Sequence, residues 1–535
     1  MPSTRPKDAA VIITVSGITT LNSFLSGALT VALPAIGKDL GFSQADLQWP
    51  VNVFSLSYGC MLLLFGRLGD IYGGRPMFLI GSAWFAIWSL AIAFTQNPVT
   101  FILFSAFLGL GAAANTPAGI SLFSKYFPPG PARNRAFGSL GAGQPIGFIL
   151  GLILGGILVQ SKATWRSVFY IQTALACLLV ALGLVVLDKD PTNTRYYTKG
   201  LDWGGAALST IGVALLTYSL ADSTSVPRGW ANPRIPTLAC VSVVLLVGFW
   251  YYEVWREKRD LSVLMPPRMW RQKGTKLKPL IAMVFFAWWN FNVLSYFTTL
   301  YYQQVNLLTP IETSVRFIPM VIAGIIANLG GGLLMSRVPS QILVLSGLSG
   351  TIAASIIFAL IDVNSSYWKA AFWVMVLVVG VDIAYPIGNM HLATSFDEDS
   401  QALAGGIFSV TTRLATSIGI AITSSISTAI TQRYATKHGL SSESSPEALM
   451  AGYRAAAWTV LGAAVVAFGI AVMGLRGIGY VGQKRVQVQV NGIENGNGTA
   501  KNDSAGDVLS ASGTMELGVI KKDRNCEVSD VAVSS

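Results

Sequence analysis

Apolar residues dominate this chain in long unbroken runs, separated by short polar or glycine-rich connections. A helix crosses the hydrocarbon core of a bilayer with about 20 apolar residues. Fourteen runs reach that scale: 10–34, 49–66, 77–95, 99–123, 136–160, 167–187, 201–221, 235–255, 279–304, 311–335, 341–361, 367–389, 402–430 and 453–475. A strand barrel would instead alternate apolar and polar positions over segments of about 10 residues. The pattern therefore predicts an all-α polytopic membrane protein whose lipid bilayer is its main surrounding.

Composition narrows the function classes. Hydrophobic residues make up 52% of the 535 and charged residues 12%, about half the charged share of a soluble protein. The net charge of +11 would suit nucleic acid. The Lys and Arg residues, however, fall between apolar runs and not on one basic face, so no nucleic-acid partner is expected. Cys60, Cys177, Cys240 and Cys526 have no metal-ligand spacing and read as small core residues. No Walker A loop and no nucleophile–base constellation occurs, and His391 and His438 fall outside the runs. An enzyme, a metal and a cofactor are not expected.

Most of the 37 Lys and Arg residues fall on one side once the runs are threaded. The positive-inside rule makes that side cytosolic. An even number of spans then puts both termini in the cytosol. Residues 1–9 form a short cytosolic segment that leads into the first span without a cleavage site. The connection 256–278 is the longest basic one, and 476–535 reads as a disordered cytosolic tail, poor in apolar residues from 480 onward. Asn364-Ser-Ser matches a glycosylation sequon in a loop so short that an unmodified turn is expected.

Three patterns carry candidate function. Gly66-Arg-Leu-Gly-Asp-Ile-Tyr-Gly-Gly-Arg75 fills the loop between spans 2 and 3. Its glycines allow a tight turn and close helix approach, and Asp70, between Arg67 and Arg75, suits a base or a helix N-terminus. A worn copy, Gly332-Leu-Leu-Met-Ser-Arg337, follows span 10 and marks internal repeats. In span 5, Gly143, Gly147, Gly151 and Gly155 share one face, with Pro145 and Gly156 beside them. Such a face admits another helix backbone, and the expected role is a hinge or sliding face between two bundles.

The third pattern is charge depth. Asp382 is the one acid deep inside any span, and Arg413 the one base at that depth; Asp202, Glu253, Glu312 and Asp362 sit at span ends. A charge in the membrane costs about 2.5–3.5 kcal/mol on insertion scales, which makes it a functional candidate. Asp382 lies roughly 12 Å and Arg413 roughly 16 Å from the cytosolic ends of their spans at 1.5 Å per residue. They are expected to be neighbours, as a coupling site or a structural ion pair. Asn290, Asn292 and Tyr296 of span 9 suit a cavity wall, whereas Tyr301 and Tyr302 suit an interfacial aromatic belt.

These residues resemble the major facilitator superfamily, in its fourteen-span drug:proton antiporter branch, over about 10–475. Trp165-Arg166 and Leu201-Asp-Trp-Gly204 add to the likeness. Within that branch the chain looks most like fungal aminotriazole- and borate-resistance transporters, through Gly380-Val-Asp-Ile-Ala-Tyr-Pro386, Pro145-Ile-Gly147 and Gly452-Tyr-Arg454. The resemblance implies the major facilitator fold: two six-helix bundles, at 10–187 and 279–475, with two inserted helices in 188–255 between the first bundle and the 256–278 linker. A conformational switch is expected at Gly66, Arg67, Asp70, Gly73 and Arg75, because this connection lies on the cytosolic side, away from any midplane cavity.

The expected function is export of a toxic or self-made small molecule by alternating access, with protons as coupling partner, by a monomer in the plasma membrane. A transporter of a small inorganic solute such as borate or ammonium is the alternative, and a solute sensor a more distant one. Ser105, Leu25 and Gly151-Leu152 stand where the branch has Arg, Asp and Gly-Pro. The family's first-bundle coupling residues are therefore not carried over, and Asp382 becomes the coupling candidate.

Overall fold

A computed structural model describes residues 6–42, 49–161, 164–188, 200–223, 229–271, 276–363, 365–396, 400–439 and 445–476, with backbone alone at 160, 310 and 393–395. The expected tail beyond 476, Asn364 and Cys526 lie outside the described residues. Among the described residues, fourteen helices are long and apolar enough to cross a membrane: α1 Pro6–Leu40, α2 Trp49–Tyr72, α3 Gly74–Ala93, α4 Pro98–Tyr126, α5 Pro131–Val159, α6 Arg166–Val186, α7 Trp203–Ser223, α8 Arg234–Lys258, α9 Leu277–Val305, α10 Ile311–Leu334, α11 Ser340–Ala359, α12 Ala371–Leu392, α13 Gln401–Lys437 and α14 Pro446–Gly474. Several outrun their apolar runs because a helix end keeps its hydrogen bonds in the polar interface as well as in lipid. His391 accordingly falls inside α12 and not outside it.

Local signals set the starts. Asn97 accepts the Thr100 backbone N–H at 2.9 Å and Pro98 follows it, opening α4. Ser445 caps the start of α14 in the same way, ahead of Pro446. Thr309 and Glu312 form a capping box before α10. Two helices are broken mid-course: α10 at Phe317 and α12 at Val379. α9 closes on a π-helical turn at Tyr301–Val305.

The packing divides the helices into two bundles and an insertion. α1 packs on α5 and α6, and α4 on α2 and α3. α9, α11 and α13 each pack on α14, and α10 and α11 pack on α12. α7 and α8 pack chiefly on each other, and α7 also touches α2 and α13. The bundles meet through α2 with α13, α4 with α13, and α5 with α10.

Many large apolar side chains are exposed on the outside, including Val185, Val244, Ile326 and Trp458. Lipid, not water, is the solvent that suits them. Of the cysteines, Cys60 is buried while Cys177 and Cys240 are exposed, so those two are not core residues. Tyr301 and Tyr302 are fully buried against Phe358 and Phe317, not an aromatic belt.

The insertion is tied to the segment after it. Glu253, fully buried in α8, accepts the backbone N–H groups of Leu264 and Met265. Arg256 meets Asp202 at 3.2 Å and donates to the Ser262 carbonyl. The basic linker therefore starts inside α8, and Arg256 anchors the hairpin and does not sit in a solvated loop.

Candidate functional site

Both chain ends of the helical body lie at one face, where Lys7, Lys125, Arg133 and Lys278 also lie; this is called the basic face here. α2 ends at this face and α13 begins there. The first turn of a helix leaves its N–H groups without intrahelical partners. Ser400, at the N-cap of α13, makes no side-chain cap. Asp70 supplies it from the other bundle, its carboxylate accepting from Ala402 N–H at 2.9 Å and Leu403 N–H at 3.0 Å. Asp70 and Arg67 are both buried. The contact needs small residues: a Cβ on Gly66 would sit 3.0 Å from the Ala402 carbonyl oxygen, and one on Gly406 2.9 Å from that of Leu62. The expected 66–75 loop is almost entirely helical: Gly66–Tyr72 belong to α2 and Gly74–Arg75 to α3, and only Gly73 turns the chain, at a φ of 102°, a left-handed conformation that favours glycine. Arg75 donates to the Leu184 carbonyl.

The worn copy makes the counterpart contact. A Cβ on Gly332 of α10 would sit 2.9 Å from the Asn134 carbonyl oxygen of α5, and one on Gly138 3.1 Å from that of Asn328. α2 and α10 are the second helices of their bundles, and α13 and α5 the fifth, so the two contacts are related by the internal repeat. The position matching Asp70 is Ser336, so the second contact lacks the acid.

The span 5 stripe lies elsewhere than expected. Gly143, Gly147, Gly151 and Gly155 face α1, inside the same bundle: a Cβ on Gly143 would sit 2.7 Å from Thr20 Oγ1, and one on Gly155 3.0 Å from Ala28 Cα. Gly147 and Gly151 lie against the Thr20 and Phe24 carbonyls, and Gly156 looks toward Val31. In this structure the stripe is an intrabundle seam between α1 and α5 and not a face between the two bundles. The glycines of α5 that face the other bundle are Gly138 and Gly141, together with Pro145, which meets Gly324.

Above the basic-face contacts lies a cavity of about 440 Å³ between the bundles, reaching Thr299 and Phe317 toward the opposite face. Asp382, Arg413, Asn292 and Tyr296 line it. Asn290 does not: it is fully buried in the second bundle, donating to Ser355 Oγ at 2.8 Å and the Val460 carbonyl at 3.0 Å. It clamps α9 to α11 and α14.

Asp382 and Arg413 share the cavity without forming an ion pair. Among the described residues no basic nitrogen lies within 4.0 Å of Asp382. Its Oδ2 is pressed into the seam, where a Cβ on Gly324 would sit 2.9 Å from it and 3.5 Å from Pro145 Cβ. The helix break at Val379 lies one turn away, and the Asp382 N–H returns to the Val379 carbonyl at 2.8 Å. The Arg413 guanidinium instead lies over the Tyr58 ring of the other bundle, 4.4 Å from its centroid.

Sequence reading missed Tyr58, Thr116, Gln144 and Tyr385, which also line the cavity. Tyr385 lies within the Gly380–Pro386 motif already singled out around Asp382, which was a usable signal. Tyr58 looked like any membrane aromatic.

The chain belongs to the major facilitator superfamily, whose family model matches residues 15–420. It is similar to MFS-type transporter 1 of Pyricularia oryzae, 30% identical over 88% of this chain and 84% of the relative. The low affinity ammonium transporter of Saccharomyces cerevisiae is 28% identical over 75% and 78%. Efflux pump terJ of Aspergillus terreus is 24% identical over 88% of both. Among solved structures, the human organic anion transporter MFSD10 (TETRAN) shares the fold with a TM-score of 0.61 at 13% identity, over 88% of this chain and all of that one.

Proposed function

We propose that this protein exports a toxic or self-made organic molecule from the cytosol by alternating access, coupled to protons through Asp382. The observation that carries this reading is the interbundle cavity, closed at the basic face by Asp70 on the N-terminus of α13 and extended toward the opposite face. With the Lys- and Arg-rich face in the cytosol, this is the outward-facing half of the cycle, and both termini are cytosolic in a plasma-membrane monomer. The fourteen-span drug:proton antiporter branch, near the aminotriazole- and borate-resistance transporters, is supported by the Gly380–Pro386 motif around Asp382.

An efflux pump among the relatives supports export, and an ammonium transporter among them supports the inorganic alternative. Cavity size favours the organic solute, since volumes from about 300 Å³ suit drug-sized ligands. Substrate accumulation in deletion and overexpression cells tests the reading. Overexpression lowers the cellular content of the exported compound and deletion raises it; the reverse signs would mean uptake. Faster ammonium or borate flux with no organic substrate would favour the inorganic reading.

A further inference from the structure

On the reading that this cavity is the transport site, we propose that it recognises an organic anion, a carboxylate on an aromatic or other flat apolar body, and that Arg413 is the group that binds it. A guanidinium keeps its charge at every physiological pH and holds its N–H donors in a fixed fork. In Arg413 one face of that fork rests on Tyr58. Among the described residues no carboxylate lies within 4.0 Å of it, and no protein acceptor takes its donors. The side chain is exposed into the cavity, with its charge and its donors offered there.

Tyr58 is itself held. Its hydroxyl is 2.9 Å from Thr116 Oγ1, Thr116 reaches Asn115 Oδ1 at 3.3 Å, and Asn22 donates to that same oxygen at 3.1 Å. Three helices of the first bundle therefore fix the ring on which a residue of the second bundle lies. Gly59, beside it, borders the arginine stem, where an added Cβ would lie in ordinary van der Waals contact at 3.8 Å.

The acid of the cavity is not placed to do the equivalent for a cation. Asp382 is half-buried, and its Oδ2 faces Gly324 and Pro145 in the seam. An ammonium ligand at Asp382 would meet a carboxylate with one oxygen turned to Gly324 and would be repelled by Arg413 in the same cavity. A carboxylate would take two parallel N–H donors from Arg413 and lay its ring on the wall formed by Trp288, Phe291 and Tyr385.

The test is calorimetric titration of the full-length protein in lipid nanodiscs at pH 7 with three probes that share one ring system: naphthalene-2-carboxylate, 2-naphthylmethanol and 2-naphthylmethylamine. The carboxylate is expected to bind at least about tenfold tighter than the amine, as hydrogen bonds to a charged group allow. Arg413→Gln should weaken the carboxylate by about tenfold or more and leave the alcohol within about twofold. Arg413→Lys, which keeps the charge and loses the fork, should fall between them.

Equal or tighter binding of the amine, or an Arg413→Gln protein with wild-type carboxylate affinity, overturns the proposal. If Arg413→Gln does not fold, the ranking on wild type and Arg413→Lys decides. Should the alcohol bind and the carboxylate gain nothing over it, the anion assignment fails while the transport reading stands. Binding of none of the three removes the cavity as an organic-solute site, and both readings fall.

Discussion

The Asp70 carboxylate accepts the Leu403 backbone N–H at 3.0 Å across 333 positions of sequence. One acid thereby serves as the N-terminal cap of a helix in the other bundle. It takes a second N–H from Ala402 and adds a charge at the positive end of the α13 dipole. The closed basic face rests on this contact and on the glycines around it.

Asp70→Asn keeps one acceptor oxygen and turns the other into a donor that faces N–H groups. The closed basic face should lose about 1.5–3 kcal/mol, the value of hydrogen bonds to a charged group. Transport of every substrate should slow, and substrate affinity in the outward-facing state should change little. Thiol labelling of a cysteine introduced near the α2–α13 contact should rise. A selective loss of binding for one substrate would contradict a switch role.

The α5 glycines should separate into two phenotypes. Gly147→Leu drives a side chain into the Thr20 carbonyl inside the first bundle. Overpacking of about 1–3 kcal/mol is expected, read as low expression and a lower melting temperature. Gly138→Leu crowds the Asn328 carbonyl across the interface. That protein should fold, with its basic face labelled more readily. Equal stability of the Gly147→Leu protein and wild type would refute the close α1–α5 seam.

Asp382 has no ion-pair partner among the described residues, so Asp382→Asn should reach the membrane with wild-type stability. Transport driven by an imposed pH gradient in proteoliposomes should be lost, while substrate exchange without a gradient persists. A charge exchange between positions 382 and 413 should not be needed for folding. Unchanged pH-driven transport by Asp382→Asn would remove its coupling role.

Asn290 and Asn292, two positions apart, should behave as opposites. Asn290→Ala cuts the clamp to Ser355 and Val460 and should destabilise the second bundle by about 1–3 kcal/mol. Asn292→Ala opens the cavity wall and should change substrate affinity with little change in melting temperature. Thermal unfolding and binding measured on both variants would separate the roles.

Much of the architecture was legible in the sequence because a bilayer imposes its own length and polarity rules. Every apolar run became a helix, and the Gly66–Arg75 motif and the depth of Asp382 and Arg413 stood out in the sequence, although that motif proved to be two helix ends joined at Gly73 and not a loop. Partners did not. A stripe of small residues identifies a face that something approaches closely, yet any helix backbone satisfies it. Only tertiary packing decided that Gly147 meets α1 while Gly138 meets α10. Matched depth put Asp382 and Arg413 in one cavity, but depth carries no azimuth. The rotation of α12 and α13 about their axes turned Asp382 toward Gly324 and Arg413 toward Tyr58. Asn290 and Asn292 were equivalent as polar letters in one span. They lie two residues apart, about 200° around a helix of 3.6 residues per turn, so one entered the bundle core and the other the cavity.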